Sequence, residues 1–194
     1  MRIIAGRFRG RKLAEVGAGD VAAHLRPTTD RVRENLFNIL TSGKHGDPIT
    51  GARVLDLFAG TGALGLEALS RGAGHVTFVD DGVAARALLR ANVALCAAQG
   101  ASKVFARDAT DLGPATGLPF GLVFLDPPYG KGLGEIALAN AQTGGWIAPG
   151  ALIMWEDNAP PRVPPGFALS DQRSYGGTVI TLLRADPGMR GDVQ

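Results

Sequence analysis

The hydrophobic pattern changes period at residue 53. Beyond it, short apolar runs of strand length alternate with stretches whose apolar positions recur at helical spacing. Arg53–Leu57, His75–Val79, Lys103–Arg107, Leu122–Leu125 and Ala151–Trp155 read as strands, with helices at about 63–71, 83–97 and 133–142 between them. Gly72 suits a helix C-cap and Gly100 a break before the third strand. Such alternation predicts a parallel sheet covered by helices on both faces. After Pro160-Pro161 come two more runs, Phe167–Leu169 and Thr178–Leu183, around Tyr175-Gly176-Gly177. A closing antiparallel hairpin is their simplest reading, and it makes the expected sheet seven-stranded and mostly parallel.

Before residue 53 the pattern is different. Ile3, Ile4 and Phe8 are apolar positions between turn points at Gly6 and Gly10, so residues 2–13 resemble a short β-hairpin. Residues 14–25 have the small, polar composition of a loop. Pro27-Thr28-Thr29 then precedes Val32, Leu36, Phe37, Ile39 and Leu40, a helical stripe behind a threonine cap. Gly43 to Gly51 reads as a linker. The expected organisation is an N-terminal extension over 1–50, an α/β domain over 51–184 and a tail over 185–194.

Composition removes several classes of protein. The 194 residues are 45% hydrophobic and 20% charged, too apolar for a mainly disordered chain and long enough to bury one core. Every apolar run is interrupted well short of a bilayer span, and Ile3-Ile4-Ala5 before Arg7 makes no secretory signal. Cys96 is the one cysteine, which excludes an intrachain disulfide and a Cys-clustered zinc site. A soluble, cytoplasmic protein is expected. Net charge is only +2, yet residues 1–33 carry eight Lys/Arg against three acids while the remainder carries twelve against fifteen. Arg2, Arg7, Arg9, Arg11, Lys12, Arg26, Arg31 and Arg33 thus form a basic segment on a mildly acidic body, the footprint of a polyanion-binding arm. On charge alone, a solvated surface explains it equally well.

Four acids, Asp56, Asp80, Asp108 and Asp126, stand at or just past the ends of four successive strand candidates. In a parallel sheet they gather along one carboxyl edge, where open α/β sheets bind ligands. Asp is also common after strands as a helix cap, so only the recurrence favours a site. Gly60, Gly62 and Gly65 form G-x-G-x-x-G after the first strand, with Asp80 twenty residues beyond Gly60. Taken alone, that spacing also fits a dinucleotide fingerprint. Charge separates the readings: Asp56 would repel a pyrophosphate, whereas S-adenosylmethionine (SAM) is net positive and suits a carboxylate-lined edge.

Asp126-Pro127-Pro128-Tyr129 follows the fourth strand. Two prolines stop the strand and stiffen the turn, and the first holds residue 126 extended. Tyr129 then offers a flat face for stacking. A rigid strand-to-loop turn would be the default reading of Pro-Pro-Tyr by itself; the glycine loop and aligned acids outweigh it.

Asp126-Pro127-Pro128-Tyr129 resembles the [D/N/S]PP[Y/F] motif of SAM-dependent methyltransferases acting on exocyclic amino groups of nucleobases, and Asp56-x-Phe58-x-Gly60-Thr61-Gly62 resembles their first cofactor motif. With Arg2-Ile3-Ile4-Ala5-Gly6, Arg9-Gly10-Arg11, the segment Arg26 to Glu34 and Gly62 to Ala68, the chain resembles the bacterial RsmD family from residue 2 to about 184. That resemblance implies a Rossmann-like class I methyltransferase fold and methyl transfer from SAM to N2 of one guanine in 16S rRNA. It also implies a protein-bound small-subunit particle as partner; a monomer is expected. For the cofactor it assigns Asp80 to the ribose hydroxyls and Asp108 with the Ala109 backbone to the adenine. Phe58, Gly60, Thr61 and Gly62 would surround the methionine end, with Asp56 near its ammonium. Taken alone, Asp108 reads equally as a cap or turn residue. Two departures from the family pattern are Asp80 for the usual Glu and Gly121 for the usual Asp.

A purine amino group is a poor nucleophile because its lone pair is delocalised. Asp126 and the Pro127 carbonyl can each accept one of its N–H groups, and Tyr129 can stack on an extruded base. Pro128 completes the stiffened turn. No metal site is expected: His24, His45 and His75 are scattered without ligand spacing. Ser70 and Ser174 lack a nucleophile context, Trp146 and Trp155 suit packing on the sheet, and Cys96 suits the core. Three alternatives remain: a DNA amino-methyltransferase, a nicotinamide-dependent oxidoreductase and a non-catalytic RNA-binding protein.

Overall fold

The structure, a computed structural model, describes residues 1–15 and 30–188. Strands β1 (Arg53–Leu57), β2 (His75–Val79), β3 (Ser102–Phe105), β4 (Phe120–Leu125) and β5 (Ile147–Asp157) pair in parallel. Strands β6 (Phe167–Tyr175) and β7 (Thr178–Ala185) form the antiparallel end, giving the order β3-β2-β1-β4-β5-β7-β6. The expected closing hairpin is present, with Tyr175 opposite Thr178 and Gly176 at φ 62, the left-handed conformation a two-residue hairpin turn requires. Strand order reverses direction between β1 and β4, so a switch point opens at their carboxyl ends.

The helices are α1 (Asp30–Leu40), α2 (Ala63–Ser70), α3 (Val83–Leu95) and α4 (Leu133–Thr143). Successive strand residues point to opposite faces, and both faces are covered, which is why the strands read as unbroken apolar runs. On one face Val54, Phe78 and Phe124 pack with Phe37 of α1, Leu66 of α2 and Leu89 of α3. On the other, Leu55, Val123 and Trp155 pack with Leu138 of α4 and Trp146. Phe37 meets Phe124 edge-on at 5.7 Å between ring centroids.

The N-terminal segment turns back on itself as the short hairpin expected. Arg2 and Lys12 form an antiparallel bridge, with Ile3 N–H donating to the Arg11 carbonyl (3.0 Å), Gly10 N–H to that of Ile3 (2.9 Å) and Leu13 N–H to that of Met1 (3.2 Å), and two tight turns close it. Gly6 and Gly10 lie at φ 80 and 79, with Arg9 N–H donating to the Gly6 carbonyl and Arg11 N–H to that of Phe8. The segment docks on α2. The buried Glu67 carboxylate accepts the N–H groups of Ile4 (2.8 Å) and Ala5 (3.0 Å), while Ser70 accepts those of Arg7 and Phe8. Gly6 passes so close that a Cβ there would lie 1.9 Å from the Ser70 carbonyl oxygen.

β3 ends two residues before the expected Arg107, whose guanidinium turns back to the Leu112 carbonyl. The expected threonine cap, Arg26 and most of the 14–25 loop lie outside the described residues, as does the tail from 189. Among the described residues, no helix is long and apolar enough to cross a membrane.

Candidate active site

Asp108, Asp80, Asp56 and Asp126 belong, in that order, to the carboxyl ends of the adjacent strands β3, β2, β1 and β4. Leaving β1, the chain takes left-handed φ at Phe58 (58), Gly60 (55) and Gly62 (80). Glycine adopts this freely, whereas Phe58 is strained and is held in place by its surroundings. Ala59 N–H donates to the Val79 carbonyl at 3.0 Å and Gly60 N–H to Asp80 Oδ2 at 2.8 Å, so β2 anchors the loop. A Cβ on Gly62 would lie 2.3 Å from Leu89, and one on Gly65 would lie 2.4 Å from the Phe78 ring. These two glycines let helix, loop and sheet approach.

Asp56 occupies a different position from the one expected of a ligand contact. It lies within β1, is 1% exposed, and its Oδ2 accepts the Gly65 N–H at 2.9 Å. It therefore satisfies one of the donors left open in the first turn of α2 and braces the glycine loop from beneath. Burial pushes its pKa up to about 8; the Gly65 N–H opposes the rise and the Asp80 charge adds to it.

Asp80 is half-buried and splits its oxygens, Oδ2 to Gly60 N–H and Oδ1 to Gly82 N–H, both at 2.8 Å. Burial raises its pKa, while those two N–H bonds hold the rise back. Asp108 is exposed and its Oδ1 accepts both the N–H and the hydroxyl of Thr110, the geometry of a turn residue. Ala109 beside it is buried.

Asp126 is half-buried at the end of β4, Pro127 is buried, and Pro128 and Tyr129 are half-buried. The Tyr129 hydroxyl donates to Glu156 Oε1 at 3.2 Å. Glu156 was not evident from the sequence. It is 3% exposed on β5, where the pairing of Leu125 with Trp155 brings it level with Asp126. The signal available was an acid closing the apolar run Ala151–Trp155. Burial, then the Glu156 and Asp126 carboxylates, push the Tyr129 phenol well above its ordinary range, so it stays a neutral donor.

Of the basic segment, Arg2, Arg7, Arg9, Arg11, Lys12 and Arg31 are exposed. The guanidinium of Arg7 lies 4.5 Å from the Phe8 ring centroid, and Arg11 also reaches the Leu95 carbonyl. A recess of about 340 Å³ between the segment and α1 is lined by Arg2, Arg9 and Arg31, with Asp30 and Glu34. Arg33 corrects the expectation of a surface phosphate contact. It is fully buried, pairs with Asp30 at 2.8 Å and donates to the Arg2 carbonyl.

A largely parallel seven-stranded sheet with an antiparallel end, and a glycine loop after β1, is the Rossmann-like class I methyltransferase fold. The chain belongs to the RsmD family: the family profile described as "Conserved hypothetical protein 95" matches residues 1–184. Ribosomal RNA small subunit methyltransferase D of Escherichia coli K12 is 39% identical over 189 residues, 96% of this chain and 90% of that one. The protein of the same name from Haemophilus influenzae is 37% identical over 181 residues, 91% and 89% of the two chains. The solved structure of yhhF from Escherichia coli, 38% identical, superposes with a TM-score of 0.78 over 96% of this chain and 98% of that one.

Proposed function

We propose that this protein transfers a methyl group from SAM to the exocyclic N2 of a guanine in small-subunit rRNA. The observation that carries the reading is the seating of Asp126-Pro127-Pro128-Tyr129 at the end of β4, on the strand hydrogen-bonded to β1 and its glycine loop. Substrate and cofactor elements thus share one switch point.

The carboxyl edge fits the cofactor chemically. A carboxylate offers about four acceptor positions, so Asp80, having braced Gly60 and Gly82, retains room for two ribose hydroxyls. Asp108 and the Ala109 backbone would hold the adenine, and the loop Phe58, Gly60, Thr61, Gly62 the methionine end. Asp56 would act through that loop, bracing Gly65 and the start of α2 beneath it. When bound, SAM supplies the electrophilic methyl group.

The remaining work belongs to this chain's residues. Asp126 and the Pro127 carbonyl each accept one N–H of the guanine amino group and turn its nitrogen toward the cofactor. The nitrogen would take the methyl group that bound SAM supplies, and its surplus proton would leave to Asp126 or water. Tyr129, pinned through its hydroxyl, stacks on the extruded base. Interactions that strengthen only as the nitrogen becomes positive lower the barrier without tightening ground-state binding. The exposed basic segment, within the 1–50 extension, meets the phosphate backbone, and the substrate is an assembling small-subunit particle in the cytoplasm met by a monomer.

The deciding experiment supplies labelled SAM with rRNA, tRNA or duplex DNA, then digests the products to nucleosides. N2-methylguanosine from small-subunit rRNA is expected. Methylated adenine or cytosine from DNA would transfer the reading to a DNA amino-methyltransferase. Tight NAD binding without SAM binding would overturn it.

A further inference from the structure

Asn92 is a fully buried polar side chain on α3, and it joins two segments that are remote in the chain. Its Oδ1 accepts the Ala14 N–H at 2.6 Å, while its Nδ2 donates to the Ala14 carbonyl at 3.1 Å and to the Thr61 carbonyl at 2.9 Å. A carboxamide has two N–H donors and a carbonyl acceptor, so both donors and the acceptor are engaged. Thr61 lies in the glycine loop between Gly60 and Gly62. Ala14 closes the basic segment that presents Arg7, Arg9, Arg11 and Lys12. The other end of that segment is fixed to α2 by Glu67 and Ser70, and α2 starts directly from the glycine loop. Burying a carboxamide in an apolar face is costly unless its bonds are made. An apolar side chain would fill the same space without joining anything.

We propose that Asn92 is a positioning residue that ties the RNA-binding segment to the cofactor loop, so that cofactor and RNA bind with positive cooperativity. The inference rests on the reading above that the basic segment engages RNA. Binding at either end orders a segment whose backbone is hydrogen-bonded to Asn92. The second ligand then meets a partner already ordered and loses less conformational entropy. Thermodynamic linkage requires the effect to be equal in both directions.

The test uses the full chain, S-adenosylhomocysteine as the unreactive cofactor and small-subunit rRNA as the second ligand. Each affinity is measured with and without the other ligand. In the unsubstituted protein each ligand should tighten the other by the same factor, within the roughly 5–150-fold range of such couplings. Asn92→Ala should bring that factor toward one. Ala14→Pro removes the Ala14 N–H donor to Asn92 Oδ1 and fixes the local φ, leaving the bonds from Asn92 Nδ2 to the Ala14 and Thr61 carbonyls, and should reduce the factor in part; it carries the test if Asn92→Ala fails to fold. Hydrogen exchange at the Gly60 and Gly62 amides should slow on adding RNA to the unsubstituted protein and slow less in either variant. A merely structural asparagine would lower both affinities and leave their coupling unchanged. A factor of one in the unsubstituted protein, with both ligands bound, overturns the inference. So does an unchanged factor in Ala14→Pro. RNA affinity that survives neutralising Arg7, Arg9, Arg11 and Lys12 instead removes the arm reading on which the inference stands.

Discussion

Asp56 sets the Gly65 N–H bond against complete desolvation, and desolvation prevails, lifting its pKa from the ordinary 3.8 to about 8. Between those values the unfolded chain releases a proton that the folded chain keeps. The stabilising contribution is therefore full below about pH 3.8 and is lost as pH rises through about 8, with a limiting slope of about 1.4 kcal/mol per pH unit. Asp56→Asn keeps an acceptor for Gly65 and cannot ionise. Urea denaturation should show the variant gaining on the unsubstituted protein from pH 6 to pH 9; parallel profiles would mean that Asp56 is ionised in the folded state. Tyr129 and Glu156 pose a second question at this scale. If the hydroxyl bond at 3.2 Å fixes the ring for stacking, Glu156→Leu, which removes the acceptor, should lower kcat several-fold in the Tyr129 protein and have little further effect in Tyr129→Phe. Tyr129→Ala, which removes the stacking face itself, should cost about 1–3 kcal/mol of RNA binding. Additive losses in the double variant would separate Glu156 from the ring.

Helix α2 is the element through which the parts of the molecule meet: its first turn receives Asp56 and the glycine loop, and its last receives the N-terminal segment on Glu67 and Ser70. Gly6→Ala should break that docking, because the residue lies at φ 80 and its new Cβ would collide with the Ser70 carbonyl. We expect a loss of about 1–3 kcal/mol in stability, and faster tryptic cleavage after Arg7, Arg9 and Arg11. Unchanged cleavage and melting would show that the segment reseats without cost. This long-range docking was not legible in the sequence, since nothing local to Glu67 marks it as the acceptor for residues sixty positions earlier. The central strands were legible. β1 and β2 read at their observed bounds because both of their faces are buried. β6 was recognised only over Phe167–Leu169, because at the sheet edge Asp171, Gln172 and Arg173 lie partly or fully exposed and dilute the apolar pattern. β5 begins four residues early, through Pro149 and Gly150, residue types that interrupt a strand pattern. Arg33 could have been placed inside: it stands three, four and seven residues before Leu36, Phe37 and Leu40, on the stripe itself. Its charge hid the register. In the site, the motif residues were legible as types, whereas the inward turn of Asp56 and the role of Glu156 depend on strand pairing.

At the scale of the whole molecule the charge is divided: eight Lys/Arg against three acids in the first 33 residues, twelve against fifteen afterwards. Under the proposed function, such asymmetry would draw the RNA toward the N-terminal segment at long range and leave the acidic body for the net-positive cofactor. Burial then decides which cations contribute. Arg33 is spent inside the fold on Asp30 and the Arg2 carbonyl, so Arg33→Ala should damage stability before it damages RNA affinity. Arg7, Arg9, Arg11 and Lys12 are exposed, and under the proposed function they displace counterions from the phosphate backbone. Converting all four to glutamine should weaken RNA binding and leave the affinity for SAM alone within about twofold. Each phosphate contact on a single strand contributes about 0.7 to the slope of log K against log salt, so losing four should flatten it by about 2–3. Arg11 also donates to the Leu95 carbonyl, and a shortfall of one contact from that sum would identify it as structural. Titrations at three or more salt concentrations separate the outcomes. A parallel line of lower affinity would mean that the variant harmed the fold and not the phosphate contacts, and an unchanged line would mean that the basic segment is a solvated surface.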